Sequence, residues 1–375
     1  MRYLLSLLLL TLIGCGAPRS GAERFVHPRY EPRYATGFEL LSDGEGGSTL
    51  LRVRNPWQGS STVCSELFIR RNDEPIPAHF TGQVLEGEAR RIVCMSSTYV
   101  AMLDALDAVE RVVGVSGIEF ISNPYIQAHR DRIGDVGYDG NLNYERLVAL
   151  NPDLVLLYGV SGSSELEPKL RELQIPFLYI GEYLEQSPLG KAEWMVFLAE
   201  LLGEREKGEA RFAPLPERYQ ALCELAQTAA HRPRVMLNTP YRDSWFMPST
   251  DNYVVRLIED AGGDYLYPAN DSNRSVVIDL EAAYLLCAQA DYWLHQGTIR
   301  SLDELRQRFP RFADVRCIAR GSLYNNTLHS TPAGGNDFWE SGVVHPDRIL
   351  QDLIRILHPE LLASEGDFYY YEALR

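Results

Sequence analysis

Two stretches of the chain share one pattern of apolar and polar positions. LNYERLVALNPDLVLLYG (142–159) and VVIDLEAAYLLCAQADYWLH (276–295) each place a Glu at the start of a short apolar helix. A polar turn that contains Asp follows the helix, and an apolar strand follows the turn. The pattern therefore predicts two equivalent helix–strand units, with Glu145 and Glu281 at corresponding positions.

Apolar strand patterns alternate with helix patterns in residues 90–187 and again in residues 231–375. RIVCMSS (91–97) is typical of a buried strand, for example, and a helical pattern follows it. Such alternation predicts a parallel sheet with helices on both faces. The segment 188–230 between these regions has helix patterns only. We therefore predict an α/β fold in which a long connector helix joins two αβα lobes with parallel sheets.

Residues 25–89 have a β-like pattern that differs from both lobes. Two alternating apolar runs flank the turn residues Asp43-Gly44 and Gly46-Gly47, which predicts a hairpin. Further strand patterns follow it. We expect a small β-rich extension ahead of the first lobe.

The N-terminus predicts an export signal. A single Arg2 precedes an apolar run that is too short to span a bilayer and has the length of a signal-peptide core (1–14). The run ends in Leu-Ile-Gly-Cys, which resembles a bacterial lipobox and predicts a lipid on Cys15 and a tether over 15–24. The alternative is a cleaved secretion signal followed by an incidental Cys.

Composition and motifs exclude several function classes. The net charge of −15 argues against nucleic acid, whose binders need a basic face. The chain has no GxSxG, P-loop, GxGxxG after a strand, or HExxH, so we predict that it is not an enzyme and needs no cofactor. His residues are scattered, so no direct metal site is predicted.

The five Cys after Cys15 lie mostly in apolar patterns that indicate buried free thiols.

The first lobe contains two characteristic stretches in succession, RIVCMSSTYVAMLDALDAVERVVGVSG and IGDVGYDGNLNYERLVALNPDLVLL. A helical segment and a second, similar lobe follow them in the chain. Over about residues 91–360 this order resembles the periplasmic substrate-binding proteins of iron-complex and vitamin B12 ABC importers. The resemblance implies a lipid-anchored periplasmic protein that delivers a ligand to an ABC permease dimer with its ATPase subunits. The extension 25–89 lies outside the part that carries the resemblance.

The resemblance also implies a role for Glu145 and Glu281. In this family each lobe presents a Glu that docks onto arginines of one permease subunit, and these two residues match those positions. Rim carboxylates of this kind set orientation and speed of encounter more than affinity. The alternative is that each Glu only complements the positive end of its helix.

The ligand is expected in a cleft between the lobes, at loops that follow the strands. Aromatic rings there would flank a flat chelate, and an Arg would pair with its anionic groups. The predicted ligand residues are Tyr138, Tyr158, Tyr183, Tyr241, Trp245, Arg274, Trp339 and His345. For single Tyr residues, packing at the rim is the competing interpretation.

The resemblance favours an iron complex as the ligand, either a siderophore or haem. Cobalamin or another corrinoid is the alternative within the same class. An alternative of another class is a surface lipoprotein that passes its ligand to an outer-membrane partner, which the β extension leaves open.

Overall fold

The computed structural model describes residues 21–138, 141–160, 162–272, 274–362 and 366–375. The predicted signal peptide, Cys15 and the tether as far as residue 20 lie outside the described residues. Within those ranges, no helix is both long and apolar enough to cross a membrane.

The first sheet is built from the N-terminal extension. Its strands pair in chain order, antiparallel except for the last, which runs parallel to its neighbour. The strands are β1 (His27–Tyr30), β2 (Phe38–Ser42), β3 (Thr49–Arg54), β4 (Cys64–Arg70) and β5 (Gln83–Glu86). The hairpin predicted around Asp43-Gly44 joins β2 to β3, with Leu40 opposite Leu51. Its turn is held by Glu74, which accepts hydrogen bonds from the backbone N of Gly47 (2.6 Å) and Ser48 (3.0 Å).

The N-terminal lobe follows. Its strands are β6 (Ile92–Cys94), β7 (Val112–Val115), β8 (Gly134–Asp135), β9 (Gly137–Tyr138), β10 (Asn141–Leu142), β11 (Leu154–Leu157) and β12 (Phe177–Tyr179). Its helices are α1 (Ser97–Ala105), α2 (Pro124–Ala128), α3 (Tyr144–Leu150) and α4 (Glu167–Leu173). Five of the strands form a parallel sheet in the order β12-β11-β6-β7-β8, and β9 and β10 form a separate antiparallel pair. Nearly all strand residues of the sheet interior are buried, as expected for a sheet with helices on both faces.

Three helices, rather than one long helix, connect the lobes: α5 (Pro188–Leu201), α6 (Arg205–Phe212) and α7 (Leu215–Ala226). The break between α5 and α6 follows from Gly203, whose φ of +72° lies in the left-handed region and ends the helix. The second break lies at Pro214, ahead of α7, because proline cannot continue a helical hydrogen-bond ladder.

The C-terminal lobe repeats the alternation. Its strands are β13 (Arg234–Leu237), β14 (Ser244–Met247), β15 (Asp264–Tyr265), β16 (Val276–Asp279), β17 (Tyr292–Leu294), β18 (Leu323–Asn325) and β19 (Glu372–Ala373). Its helices are α8 (Tyr253–Asp260), α9 (Leu280–Cys287), α10 (Leu302–Arg308), α11 (Arg316–Arg320) and α12 (Pro346–Leu357). The sheet order is β15-β13-β17-β18-β19, parallel except for β19, and β14 pairs with β16 separately. The predicted α/β fold of two lobes with parallel sheets is confirmed.

Helix α5 is buried along all 14 of its residues. The extension sheet covers one side of it, where the Phe38 ring lies 4.9 Å from Trp194 and 5.0 Å from Phe197. Each fully buried ring of this kind contributes roughly 1.5–3 kcal/mol of transfer free energy. The extension therefore shares one hydrophobic core with the connector and both lobes.

Three acidic side chains tie the extension to α5. Glu193, in the middle of the helix, is 0% exposed. Its Oε1 accepts hydrogen bonds from the Tyr30 hydroxyl (2.6 Å) and the Arg33 backbone N (2.8 Å). Its Oε2 accepts from the backbone N of Tyr34 (2.8 Å) and Ala35 (2.7 Å). Four donors satisfy this buried carboxylate, so it fixes the segment between β1 and β2 against the connector.

Glu185, just before α5, holds the next residues of the same segment. It accepts hydrogen bonds from the backbone N of Thr36 and Gly37, each at 2.9 Å, and from the Trp194 indole at 3.0 Å. Since Gly37 leads directly into β2, this carboxylate fixes the start of that strand.

Glu200 makes the third attachment, seven residues or two helical turns after Glu193 and therefore on the same face of α5. It accepts a hydrogen bond from the Thr49 hydroxyl at 2.6 Å and forms an ion pair with Arg71 at 2.8 Å. The extension is thus attached at both ends and in the middle of α5.

The lobes also touch each other directly, at loops that follow their strands. Glu340 accepts a hydrogen bond from the Ser122 backbone N (2.8 Å), and Asp337 accepts one from the Ser122 hydroxyl (3.0 Å). The Thr331 hydroxyl donates to the Glu119 carbonyl at 2.8 Å. Because Ser122 follows β7 and Asp337 follows β18, the carboxyl ends of the two sheets face each other across the cleft.

We expect Glu193→Gln to destabilise the fold by about 2–4 kcal/mol, because one amide NH2 would replace an oxygen that accepts two buried hydrogen bonds. Glu217→Gln, on the exposed surface of α7, is the matched control and should change stability by about 0.5 kcal/mol or less. Urea unfolding followed by circular dichroism measures both. Equal midpoints for the two variants would contradict the role assigned to Glu193.

Burial raises the pKa of Glu340 to about 7 from a usual value near 4.5. The folded protein then binds more protons than the unfolded chain between about pH 4.5 and 7, so wild-type stability falls as the pH rises through this window. Glu340→Gln removes the titration. We expect the variant to gain about 2–3 kcal/mol relative to the wild type between pH 5 and pH 8. Urea unfolding at both pH values measures the difference, and a constant difference would contradict the raised pKa.

Candidate ligand-binding cleft

A cavity of about 420 Å³ lies in the cleft, at the β12 edge of the N-terminal sheet. Three parts of the molecule line it. The N-terminal lobe contributes the loop after β12 (181 and 183–186), and the C-terminal lobe contributes the start of α8 with Arg274 and Ser275. The extension contributes the loop between β3 and β4 together with Thr36 and Gly37. Volumes of roughly 300–1,000 Å³ are typical of small-molecule sites. The cavity is therefore large enough for a ligand.

Two of the predicted ligand residues, Tyr183 and Arg274, line this cavity. The Tyr183 hydroxyl donates to the Gly159 carbonyl at 2.7 Å, which fixes the ring beside the cavity. Burial raises the pKa of Tyr183 above its usual value, so the phenol is neutral near pH 7. The Arg274 side chain is exposed, and its guanidinium has no hydrogen bond or ion pair within the described ranges.

Trp339 does not line the cavity, but its ring belongs to an aromatic cluster that includes a cavity residue. Its ring lies 6.1 Å from Tyr253, a cavity residue, and 4.6 Å from Phe338. His295 lies behind Trp339 at 6.0 Å, and its Nε2 is 2.7 Å from the Tyr371 hydroxyl. Burial lowers the pKa of His295 to about 3, so this imidazole is neutral at neutral pH.

Three buried or partly buried residues near the cavity were not predicted: Glu182, Lys191 and Tyr253. The Lys191 ammonium lies 4.4 Å from the centre of the Tyr253 ring, a cation–π contact. Burial lowers the pKa of Lys191, and Glu182 and Glu185 oppose this shift. Burial raises the pKa of Glu182, whose Oε1 accepts from the Thr98 hydroxyl at 2.8 Å. The sequence signal for Lys191 was a Lys inside a largely apolar helix pattern, whereas Glu182 and Tyr253 carried no comparable signal.

The structure places Trp245 in the hydrophobic core, at 0% exposure. Its ring packs 5.7 Å from Trp293 and 5.3 Å from Phe312, and its indole N–H donates to the Leu237 carbonyl at 2.9 Å. The ring has no surface that a ligand could touch, which does not fit the predicted ligand role. The reason is that residues 244–247 form strand β14, whose alternate side chains point inward.

The remaining predicted ligand residues do not line this cavity. Tyr158 is half-buried and packs between two hydrophobic clusters at the end of β11. Tyr138 and Tyr241 are exposed. His345 is the residue just before α12 and is half-buried, and burial lowers its pKa to about 4, so it is neutral at neutral pH.

Glu145 and Glu281 occupy corresponding positions. Each is the second residue of its helix, α3 or α9, and each is exposed. The residue before each helix, Asn143 or Asp279, caps it through its own side chain. Neither Glu has a hydrogen bond or ion pair among the residues that the structure describes.

Cysteine and metal chemistry give no further site among the described residues. The five cysteines there are free, and all except Cys64 are buried. Burial raises the pKa of Cys317 to about 11, which keeps this thiol protonated. No group of three or more His, Cys, Asp or Glu side chains is arranged there to hold a metal ion.

Comparisons with known proteins find relatives in sequence and in fold. A lipoprotein of uncharacterised function from Methanocaldococcus jannaschii is 23% identical over 90% of this chain and 84% of its own length. The haem-binding protein RhuT from Roseiflexus sp. RS-1 is similar in fold, with a TM-score of 0.56, 20% identity, and coverage of 73% of this chain and all of that one. The siderophore-binding protein FhuD from Vibrio cholerae, solved with Fe³⁺-Desferal, has a TM-score of 0.52, 18% identity, and coverage of 72% of this chain and 99% of its own.

These structural neighbours share the fold of this chain, and the family match confirms the prediction of a binding protein rather than an enzyme. The family model described as periplasmic binding protein matches residues 92–326, well over half of the chain. With its two facing lobes and the cavity between them, this protein belongs to the periplasmic binding protein family.

Proposed function

We propose that the protein captures an iron complex, a siderophore or haem, in the cleft between its lobes and delivers it to an ABC permease. Membership of the periplasmic binding protein family supports capture of a ligand. The fold neighbours that bind haem or Fe³⁺-Desferal support iron complexes as the ligand class.

The observation that carries the delivery step is the equivalent placement of Glu145 and Glu281. A carboxylate that only capped its helix would be as useful on one lobe as on both. Here each lobe presents one exposed acid at the second position of the corresponding helix. Two such acids suit arginines on the two subunits of a permease dimer, where paired charges set orientation.

The surroundings of the two acids support docking as well. Val148 on α3 and Leu285 on α9 are 48% and 60% exposed, one helical turn after the respective Glu. A two-stranded antiparallel pair comes before each helix, β9–β10 in one lobe and β14–β16 in the other. Exposed apolar side chains beside a charged group are typical of surfaces that become buried in a complex.

The lipid anchor belongs to the same proposal. Cys15 follows the signal-peptide pattern, and a relative from Methanocaldococcus jannaschii is named a lipoprotein. A diacylated Cys15 would hold the folded part near the membrane that contains the permease, on the periplasmic side.

The delivery step can be tested with two variants, Glu145→Arg and Glu281→Arg. We expect each variant to reduce uptake of the iron complex at least tenfold, because each puts a positive charge opposite a permease arginine. Ligand affinity should stay within about twofold of the wild type. Glu217→Arg, an exposed position on the connector, is the control and should leave uptake unchanged. Uptake of ⁵⁵Fe by cells that carry each variant, with affinity measured on purified protein, separates the two quantities.

Loss of ligand affinity with either variant would place that Glu in the binding site and contradict docking. Wild-type uptake with both variants would contradict it as well.

To test capture, the chain from residue 16 onward is titrated with ferric hydroxamate siderophores, haemin and cyanocobalamin. We expect micromolar or tighter binding of at least one iron complex, seen as quenching of Trp fluorescence, because Trp57 lines the cavity. If no iron complex binds at micromolar concentration, the proposed ligand class is wrong.

A further inference from the structure

The extension contributes a wall to the cavity in the cleft. Trp57, Gln58, Gly59 and Ser60, in the loop between β3 and β4, all line it. The family model begins at residue 92, so this wall lies outside the part of the chain that the family shares. We infer that the β3–β4 loop is a third wall of the ligand site and that the site takes a polar, anionic metal chelate rather than a flat macrocycle. This inference rests on the proposed function.

The loop is firmly seated on the N-terminal lobe. The Trp57 ring packs edge-on against Tyr179 at 5.2 Å. A Cβ at Gly159 would lie 2.9 Å from the same indole, so only glycine allows Trp57 to approach the backbone there. The Gln58 backbone N donates to the Val160 carbonyl at 3.2 Å. These contacts hold the loop against residues that follow β11.

The loop also reaches the C-terminal lobe. Gly59 has a φ of +77°, and a Cβ there would lie 2.6 Å from Nη2 of Arg274. The guanidinium therefore rests against the loop backbone. Because Arg274 belongs to one lobe and Val160 to the other, the loop spans the cleft between them.

The opposite side of the cleft is closed in a different way. The direct contacts between the lobes, made by Ser122 and Glu340, lie in loops after β7 and β18, towards the β8 and β19 edges of the sheets. The cavity lies at the β12 edge of the N-terminal sheet. Lobe contacts close one end of the cleft, and the β3–β4 loop covers the other. The cavity of about 420 Å³ lies at the end that the loop covers, and we call it the chamber.

The lining of the chamber favours oxygen-rich anions. Arg54 and Arg274 contribute guanidinium groups, and Gln58, Ser60 and Asn252 contribute amide and hydroxyl groups. Arg274 has no acceptor for its N–H groups within the described ranges, whereas Arg54 is already paired with Glu39 at 2.6 Å. Forked guanidinium groups match carboxylate and similar two-oxygen groups.

The acidic groups of the lining do not cancel this preference. Glu185 is occupied by four donors: the Thr36 amide and hydroxyl, the Gly37 amide and the Trp194 indole. Asp251 is exposed at the rim. The aromatic faces available to a porphyrin or corrin ring are those of Trp57, Tyr183 and Tyr253, with Trp339 behind Tyr253, and polar residues make up most of the rest of the lining.

The test uses three cavity variants of the chain from residue 16 onward: Arg274→Gln, Gln58→Ala and Trp57→Phe. Arg306→Gln, an exposed position on α10, is the matched control for the lost charge. Affinities are measured by titration with ferrioxamine B, a ferric tricarboxylate chelate, haemin and cyanocobalamin. Circular dichroism and the unfolding midpoint show that each variant is folded.

We expect the wild type to bind the anionic ferric carboxylate chelate more tightly than haemin or cyanocobalamin. Arg274→Gln should weaken this binding about tenfold, the effect of one charge-assisted hydrogen bond. Gln58→Ala should weaken it about threefold, and Arg306→Gln should leave it unchanged. Trp57→Phe should keep most of the affinity but lose most of the fluorescence quenching, because Trp57 is the indole that lines the chamber.

The outcomes separate this inference from the proposed function. If ferric chelates bind but all three cavity variants behave as the wild type, the β3–β4 loop is not a wall of the ligand site, and the proposed function stands. If haemin binds more tightly than the ferric chelates, the ligand class inferred here is wrong and the proposed function stands. If no iron complex binds, both are wrong.

Discussion

The structure depends on buried contacts between acidic side chains of the connector and the N-terminal extension. Helix α5 carries Glu193 and Glu200 on one face, with Glu185 just before it, and all three carboxylates are buried. A buried carboxylate is stable only where several donors surround it. Here most of the donors are backbone N–H groups and hydroxyls of the extension, joined by Arg71 of the extension and the Trp194 indole of α5. The extension and the connector therefore cannot separate without leaving these charges unpaired.

This constraint sets the geometry of the ligand site. The carboxylates fix the residues just before β2 and the first residue of β3, and β2 pairs with β3. Strand β3 leads into the loop that carries Trp57 and Gln58. The position of that loop over the cleft thus follows from contacts made on the connector. A helix buried on every side is also a rigid support for two lobes that bind a ligand between them.

Much of the fold could be predicted from the sequence because its signals are local. Alternating strand and helix patterns predicted both parallel sheets, and the turn residues around Asp43-Gly44 predicted the β2–β3 hairpin. The role of Glu193 could not be predicted in this way. Its donors lie about 160 positions earlier in the chain, and no periodic pattern links the two segments.

The candidate site was predictable only in part. Tyr183 and Arg274 line the cavity, but Trp245 does not, although all three stand beside turn residues in the sequence. For Trp245, the alternation in residues 244–247 was the signal: Trp245 and Met247 are buried, and Phe246 between them is exposed. The wall from the extension could not be predicted, because it depends on how one domain packs on another.

The central claim is that an iron complex lies in the chamber between the lobes and the β3–β4 loop. The most direct measurement is the anomalous signal of iron in crystals grown with a ferric carboxylate chelate. We expect one strong iron peak inside the chamber, with the chelate in contact with Trp57, Tyr253 and Arg274. A peak elsewhere on the protein, or density for the chelate that does not touch the extension, would contradict the account.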